Sequence, residues 1–251
     1  RLPSHPWQRV EKNGSELSVH CELQLMDEAE RRFVSRGGLK LAGALAATSI
    51  SPQGKQCLDI GQSTGGFTDC LLQMGAARVV GVDVGHGQLH DSLRQHPRVV
   101  CIEKCHARDM ADPLSALAAH TPAEGWELLV ADLSFISLTL VLPSIALLMM
   151  NRSDALLLVK PQFEAGRDAI SKAGLLKEPE TAPLVAAELE RWLTEEMGWT
   201  SLGMIPSPIS GGDGNEEFLL AGVKPLDADG GEDEDLEDDL DDDLGDEGDE
   251  A

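Results

Sequence analysis

The stretch Cys57–Leu72 reads CLDIGQSTGGFTDCLL. Its apolar start is typical of a buried parallel strand, its glycines allow a tight turn, and its end predicts the first turns of a helix. Hydroxyl side chains at Ser63, Thr64 and Thr68 are candidates for capping that helix. An open α/β sheet builds a nucleotide-type pocket from such a unit, although glycine-rich turns also occur in βα units of unrelated function.

From residue 56 onward, apolar runs that suit strands alternate with helical patterns. The predicted strands are Gln56–Ile60, Arg78–Asp83, Arg98–Ile102, Glu127–Asp132, Ala155–Lys160, Thr200–Pro206 and Glu216–Val223. The predicted helices are Gly65–Met74, Gln88–Gln95, Asp109–Ala119, Ile136–Met150 and Glu180–Gly198, with a further helix after the Ser35–Gly38 turn. This alternation predicts an α/β fold with a seven-stranded, mainly parallel sheet and helices on both faces.

Charge is unevenly distributed along the 251 residues. The net charge is −24, but residues 227–251 hold 16 acidic side chains and no lysine or arginine, which leaves a net charge of −8 for the rest. A block of like charge this dense is predicted to be disordered, so we assign residues 226–251 to an acidic tail. The mildly acidic body still allows local basic patches to bind an anionic partner.

Five cysteines in a chain of this length favour a reduced, cytoplasmic protein over a disulfide scaffold. Cys101, Cys105 and His106 resemble half of a metal site, but no second cluster completes it, so no metal is predicted. The longest nearly apolar run, Ile136–Met150, has 15 residues and is shorter than the ~20 needed to span a bilayer. We therefore expect no membrane span.

The glycine-rich turn and the next strand together predict the ligand. Asp83 lies 22 positions after Gly61, where a carboxylate can accept hydrogen bonds from the ribose hydroxyls of NAD or of S-adenosylmethionine. The turn lacks the second glycine of G-x-G-x-x-G, and no P-loop lysine follows it. A ligand without phosphates is favoured, and S-adenosylmethionine is the common one.

Four charged residues lie where strands or turns end: Lys40, Asp132, Lys160 and Glu217. Charged residues at the carboxyl ends of parallel strands face the ligand, although each one alone is more often a solvated strand end. Two lysines and two carboxylates at one edge suit the activation of a poor nucleophile such as a ribose 2′-hydroxyl. A desolvated lysine beside a second cation can act as a general base.

With these residues the sequence resembles a known family, the TlyA group of hemolysins and rRNA 2′-O-ribose methyltransferases within the FtsJ/RrmJ-like superfamily. The resemblance covers residues 33 to about 223. It is carried by VSRGGLKL (34–41), STGGFTD (63–69), VDVG-x-GQL (82–89), D-x-SFISL (132–138), VKPQFE (159–164), PSPI (206–209) and GN-x-EFLL (214–220).

The resemblance implies a Rossmann-like class I fold, S-adenosylmethionine as the cofactor, and 2′-O methylation of cytidine in ribosomal RNA. It also implies a catalytic tetrad of Lys40, Asp132, Lys160 and Glu217, with Lys160 as the base and Glu217 chosen over Glu216 by the Asn-x-Glu-Phe spacing. The cofactor residues that we predict are Asp59, Gly61, Ser63, Thr64, Gly65, Gly66, Phe67, Asp83, Val84, His106 and Asp132. Relatives tend to carry Asn where His106 stands, so His106 is predicted either to contact the adenine or to pack.

Family members usually carry an N-terminal S4-like RNA-binding domain, and Trp7–Leu25 resembles its last part. We therefore divide the chain into a remnant and linker (1–28), a methyltransferase domain (29–225) and the tail. The expected partners are ribosomal RNA and ribosomal subunits. Basic side chains predicted near the active edge are Arg31, Arg32, Arg36, Lys40, Lys160, Arg167, Lys172 and Lys177.

Three alternative functions follow from the same sequence. The first is a non-catalytic RNA-binding or ribosome assembly factor, which the presence of all four tetrad residues disfavours. The second is a hemolysin-like activity on membranes, which the family name suggests and the charge of −24 disfavours. The third is methylation of proteins or small molecules, which does not need two lysines.

Overall fold

The computed structural model describes residues 18–22, 32–106, 109–212 and 214–226. Seven strands form one sheet: β1 (Gln56–Ile60), β2 (Arg78–Val82), β3 (Val99–Ile102), β4 (Trp126–Ala131), β5 (Met149–Val159), β6 (Thr200–Pro206) and β7 (Phe218–Val223). Their order across the sheet is β3-β2-β1-β4-β5-β7-β6. All neighbouring pairs are parallel except those of β7, which runs antiparallel to β5 and to β6.

Helix α1 (Gly37–Ala47) precedes β1, and the other helices lie between strands in sequence. They are α2 (Gly66–Gln73), α3 (Asp91–Arg94), α4 (Leu142–Ala146), α5 (Pro161–Glu164) and α6 (Ala182–Glu195), and short 3₁₀ turns cover 118–120, 138–140, 167–169 and 179–181. Along β1 the side chains alternate between two apolar clusters. Cys57 packs with α1 and α2, whereas Leu58 and Ile60 pack with α4 and α6. The predicted sheet with helices on both faces is confirmed.

The strand order creates a crevice beside β1. The chain moves outward from β1 to β2 and β3 and then returns to β4 on the other side of β1. Open α/β sheets bind ligands at such a switch point, outside the carboxyl ends of the strands. Gly61 follows β1 and Asp132 follows β4 at this edge, and the Asp132 N–H donates to the Ile60 carbonyl at 2.9 Å.

The reversed strand β7 brings a distant residue to the same edge. Phe218, the first residue of β7, pairs with Val159, the last residue of β5. Glu217 and Lys160 are the next residues beyond this pair, so both lie at the carboxyl edge of the parallel strands. A parallel β7 would have placed Glu217 at the opposite edge.

Two predicted helices are wrong. Residues 109–119 form turns because Pro113 interrupts the pattern and the Asp112 carboxylate accepts from the Leu114 N–H at 2.8 Å. Residues 136–150 form only a 3₁₀ turn and the short helix α4. Pro143 lies in its first turn, and the chain then joins the sheet, where the Leu148 carbonyl accepts from Trp126 N–H at 2.9 Å.

Smaller differences concern helix lengths and the chain ends. Helix α3 is shorter than the predicted Gln88–Gln95 and begins after His90, whose Nδ1 accepts from Ser92 N–H at 3.3 Å. Residues 18–22 form a turn, and the rest of the Trp7–Leu25 segment and the acidic tail beyond residue 226 lie outside the described residues. In the part of the chain that the structure describes, no helix has both the length and the apolar character needed to cross a membrane.

Candidate functional site

Two cavities among the described residues open at the carboxyl edge of the sheet. The larger has a volume of about 620 Å³ and the smaller about 200 Å³. Gly61, Ser63 and Asp132 line both, so the cavities share a wall made by the ends of β1 and β4. A cavity of 620 Å³ is within the usual range for a small-molecule site.

The glycine-rich turn makes the floor between the two cavities. Gly61 has φ of +83°, and a Cβ there would overlap the carbonyl oxygen of Asp132. Glycine is therefore required both by the backbone conformation and by the close approach of β4. Among the predicted cofactor residues in this turn, those that line a cavity are Gly61, Ser63, Thr64, Gly66 and Phe67.

Gly65 has a packing role rather than a place on a cavity wall. Its φ is +94°, and a Cβ there would collide with the side chains of Leu89 and Leu93. It is also the residue before α2, and no side chain in the described part of the chain caps that helix. The prediction that Ser63, Thr64 or Thr68 caps α2 is therefore wrong.

Asp83 stands at the end of β2 and organises the neighbouring turns. Its Oδ2 accepts from the Ser63 N–H at 2.7 Å, and its Oδ1 accepts from the Gly85 N–H at 2.6 Å. Each carboxylate oxygen keeps a second acceptor site for a ligand hydroxyl. Asp83 lines the larger cavity together with the predicted residues Val84 and His106.

Asp59 lies beneath the turn and lines neither cavity. It is fully buried, its Oδ2 accepts from the Thr68 hydroxyl at 2.6 Å, and Thr68 Oγ1 in turn accepts from Gln62 Nε2 at 2.9 Å. Thr68 thus uses its hydroxyl inside the core, which is why it does not cap α2. This chain of hydrogen bonds joins β1, the turn and α2.

The pKa of Asp59 is raised to about 7, chiefly because burial disfavours the charged form, and the Asp132 and Asp83 carboxylates raise it further. The hydrogen bond from Thr68 opposes this rise. The Asp59 Oδ1 atom has no hydrogen-bond partner among the described residues. A protonated Asp59 therefore fits this environment better than an ionised one.

We expect Asp59→Asn to remove a pH dependence of stability. The native state holds a proton on Asp59 up to about pH 7, whereas the unfolded chain releases it near pH 4. The contribution of Asp59 to the free energy of unfolding is therefore complete at low pH and is lost as the pH rises through 7. Between pH 5 and pH 8 this amounts to about 3 kcal/mol. Urea unfolding at both pH values should show the fall in the wild type and a smaller fall in the variant.

Glu103→Gln is a control, because the pKa of Glu103 is shifted in the opposite direction to that of Asp59. The pKa of Glu103 is lowered to about 2, first by the hydrogen bond from Arg94, so its contribution is lost only as the pH falls below the ordinary range of a glutamate. This variant should keep the wild-type fall between pH 5 and pH 8. An equal fall in Asp59→Asn and the wild type would contradict a protonated Asp59.

Lys40 and Glu217 form a buried ion pair at the smaller cavity. The Lys40 ammonium donates to Glu217 Oε2, and the two residues are 8% and 4% exposed. Helix α1 supplies Lys40, and the loop before β7 supplies Glu217. Gly211 permits this packing, because a Cβ there would lie 2.6 Å from Glu217 Oε1.

Lys160 and Asp132 form a second ion pair. The Lys160 Nζ atom lies 2.5 Å from Asp132 Oδ1 and donates to Ser134 Oγ at 3.0 Å. Asp132 lines both cavities, and Ser134 lines the larger one. The four residues predicted to act together are thus arranged as two lysine–carboxylate pairs at one edge of the sheet.

Several residues that line the cavities were missed from the sequence. Ser35 and Ser210 line the smaller cavity beside Arg36, which was predicted near this edge and whose guanidinium donates to the Ser210 carbonyl at 3.3 Å. Ser134 and Phe135 line the larger one. Ser35, Ser134 and Phe135 belong to stretches quoted for the family resemblance, and this was the signal that could have identified them.

Comparison with known proteins gives consistent matches. Residues 33–224 match the family model described as FtsJ-like methyltransferase. The chain is 43% identical over 210 residues to the 16S/23S rRNA (cytidine-2′-O)-methyltransferase TlyA of Mycobacterium tuberculosis, which covers 83% of this chain and 75% of that protein. It is 39% identical over 188 residues to Hemolysin A of Brachyspira hyodysenteriae, which covers 75% of each.

A solved structure is similar along most of its length. The crystal structure of a provisionally assigned hemolysin from Lactococcus lactis is 40% identical and superposes with a TM-score of 0.70. The match covers 77% of this chain and 89% of that one. Both the sequence and the fold of the described domain therefore follow those of these proteins.

Proposed function

The chain belongs to the FtsJ-like methyltransferase family, and from this premise we propose that it methylates a ribose 2′-hydroxyl of ribosomal RNA. The seven-stranded sheet is the Rossmann-like class I fold that the resemblance implied. The substrate assignment rests on relatives named as rRNA (cytidine-2′-O)-methyltransferases. Cytidine is therefore the nucleoside that we propose.

The cavities fit S-adenosylmethionine, the cofactor of this methyltransferase fold. Asp83 offers acceptors for the ribose hydroxyls, and Val84 and His106 surround the part of the larger cavity next to it. Gly61 lets the ends of β1 and β4 approach each other closely, and both ends line the cavity wall. When bound, the cofactor supplies an electrophilic methyl group on a sulfonium.

The observation that carries the proposal is the ion pair that Lys160 forms with Asp132, the residue that lines both cavities. We assign Lys160 as the general base, which in its neutral form accepts the proton of the 2′-hydroxyl. The ribose oxygen would then bond to the methyl carbon that bound S-adenosylmethionine would supply, with the thioether as the leaving group. Asp132 and Ser134 hold the Lys160 amine in place.

The second pair has a supporting role in this proposal. Lys40 and Glu217 are almost fully buried and contact each other, so Lys40 is a fixed part of the wall of the smaller cavity. The ammonium of Lys40 supplies positive charge beside the reacting hydroxyl, and Glu217 keeps it oriented. Catalysis then comes mainly from positioning and from proton removal.

The proposal also covers the glycine-rich turn, the division of the chain and Arg36. Asp59 and Gly65 support the turn from below, whereas Gly61, Ser63, Thr64, Gly66 and Phe67 face the cofactor. We propose the division into residues 1–28, 29–225 and 226–251, with ribosomal subunits as partners in the cytoplasm. Arg36, which lines the smaller cavity, is a candidate for contact with an RNA phosphate.

Methyl transfer to ribosomal subunits tests the function. Subunits that lack 2′-O-methylcytidine should gain radioactive label from S-adenosylmethionine carrying a labelled methyl group. Alkaline hydrolysis should leave the label in dinucleotides, because a methylated 2′-oxygen cannot attack the neighbouring phosphate. Label in mononucleotides would indicate base methylation, and absence of label from a preparation that binds the cofactor would refute the proposal.

A further inference from the structure

Glu164 is a partly buried carboxylate that the catalytic proposal does not use. It ends helix α5, which begins directly after Lys160. Its Oε2 accepts from the Ser137 hydroxyl at 2.5 Å, and its Oε1 accepts from the Leu138 N–H at 3.0 Å. Both donors belong to residues 133–138, which follow Asp132 and which we term the rim loop.

The rim loop forms one wall of the larger cavity, through Leu133, Ser134, Phe135 and Ile136. Phe135 has φ of +66° although it is not glycine, and its side chain is 90% exposed. A bulky residue in the left-handed region is strained and persists only where its surroundings hold it. Contacts from outside the loop must therefore maintain this conformation.

Leu133 and Ile136 pack against the hydrophobic core, and residues 160–164 supply polar and aromatic contacts along the loop. Lys160 contacts Asp132 and Ser134 at the near end of the loop, and the rings of Phe163 and Phe135 have centroids 5.1 Å apart. Glu164 holds the far end through its two hydrogen bonds. The proposed base and these polar and aromatic contacts to the rim loop thus lie within five consecutive residues.

We infer that Glu164 is a positioning residue, which fixes the rim loop so that Ser134 and Asp132 hold the Lys160 amine toward the reacting hydroxyl. This inference rests on the proposed function of Lys160. Glu164 acts through hydrogen-bond geometry, since the contacts assigned to it are with Ser137 and Leu138. Burial raises the pKa of Glu164, and its two donors oppose that rise, which agrees with an acceptor held in a closed environment.

Two substitutions distinguish the role of the Glu164 hydrogen bonds from the role of its negative charge. Glu164→Ala removes both acceptors and should lower kcat by about 10- to 100-fold, the scale expected when a reacting group is displaced by about 1 Å. Glu164→Gln keeps a carbonyl for the Leu138 N–H and an amide that can donate to the Ser137 hydroxyl. This variant should keep kcat within about threefold of the wild type, because the loop stays in place.

Binding of S-adenosylmethionine, measured by calorimetry, distinguishes positioning from general structural damage. We expect its Kd to change less than kcat does in both variants, because Asp83 and the 61–66 turn remain intact and the rim loop is only one wall of the larger cavity. Asp154→Ala is the control: it removes another partly buried carboxylate, which pairs with Lys55 at 2.5 Å near the amino ends of the parallel strands. That variant should have wild-type kcat.

Three results with the Glu164 variants would overturn the inference. An unchanged kcat in Glu164→Ala would do so, and so would a Glu164→Gln variant as slow as Glu164→Ala, or loss of cofactor binding in Glu164→Ala. If Glu164→Ala does not fold, Ser137→Ala removes one of the two bonds, and an unchanged kcat in that variant refutes the positioning role. Failure of the wild-type protein to methylate RNA would instead refute the proposed function.

Discussion

Lys160→Met should abolish methyl transfer while cofactor binding stays close to that of the wild type. A general base contributes about 10² to 10⁴ in rate, so we expect kcat to fall by roughly 10³ or more. Methionine preserves the length and apolar stem of the side chain, which is 11% exposed, so the packing around it should survive. Single-turnover transfer to ribosomal subunits measures the chemical step, and calorimetry measures binding of S-adenosylmethionine.

Lys160→Arg distinguishes a base from a fixed positive charge. The guanidinium can still pair with Asp132, but it does not lose a proton in proteins. This variant should be as inactive as Lys160→Met. If Lys160→Arg retained substantial transfer, the amine would act through its charge, and another group would have to accept the hydroxyl proton.

Lys55→Met is the matched control for both variants. Its Nζ lies 2.5 Å from Asp154 Oδ2, the same separation as in the Lys160–Asp132 pair, but it precedes β1 and lies away from both cavities. Loss of this pair should leave transfer unchanged. A comparable loss of activity in Lys55→Met would mean that removing any such ion pair damages the enzyme, and the assignment of Lys160 would lose its support.

The strands and the edge on which the charged residues lie were predictable because both depend on local pattern. A short apolar run followed by a charged residue identifies a strand and its end, and parallel strands then bring Asp132 and Lys160 together. The partners were not predictable in this way. Whether Lys40 pairs with Glu217 or with Asp132 depends on the register and direction of β7, which short-range periodicity does not encode.

The wrong helix cap and the unexpected place of Asp59 have a shared physical origin in side chains that satisfy distant partners. Thr68 looks like a helix cap in sequence, but its hydroxyl binds the buried Asp59 of β1. Asp59 itself looks like a cofactor ligand because it precedes the glycine-rich turn, and yet it is fully buried below that turn. Only the packing of α2 against β1 decides these roles, and this packing involves contacts that no single stretch contains.

Glu217→Ala should destabilise the protein more than a surface ion pair would. It leaves the Lys40 ammonium, which is 8% exposed, without its carboxylate partner. Removing one partner of a buried pair typically costs about 3 to 5 kcal/mol, because the remaining charge is buried and uncompensated. Urea unfolding at pH 7 measures the change in the free energy of unfolding, and methyl transfer by this variant should also be lost.

The double variant Lys40→Met/Glu217→Leu separates stability from function. Replacing both members of a buried pair by apolar residues is often neutral or stabilising, so this protein should recover most of the free energy of unfolding lost in Glu217→Ala. It should remain inactive, because the positive charge in the wall of the smaller cavity is gone. Asp154→Ala provides a reference value, since its more exposed pair with Lys55 should contribute about 1 kcal/mol or less to the free energy of unfolding. Recovery of both stability and transfer in the double variant would show that Lys40 and Glu217 only support the fold, and the proposed mechanism would then reduce to Lys160 and Asp132.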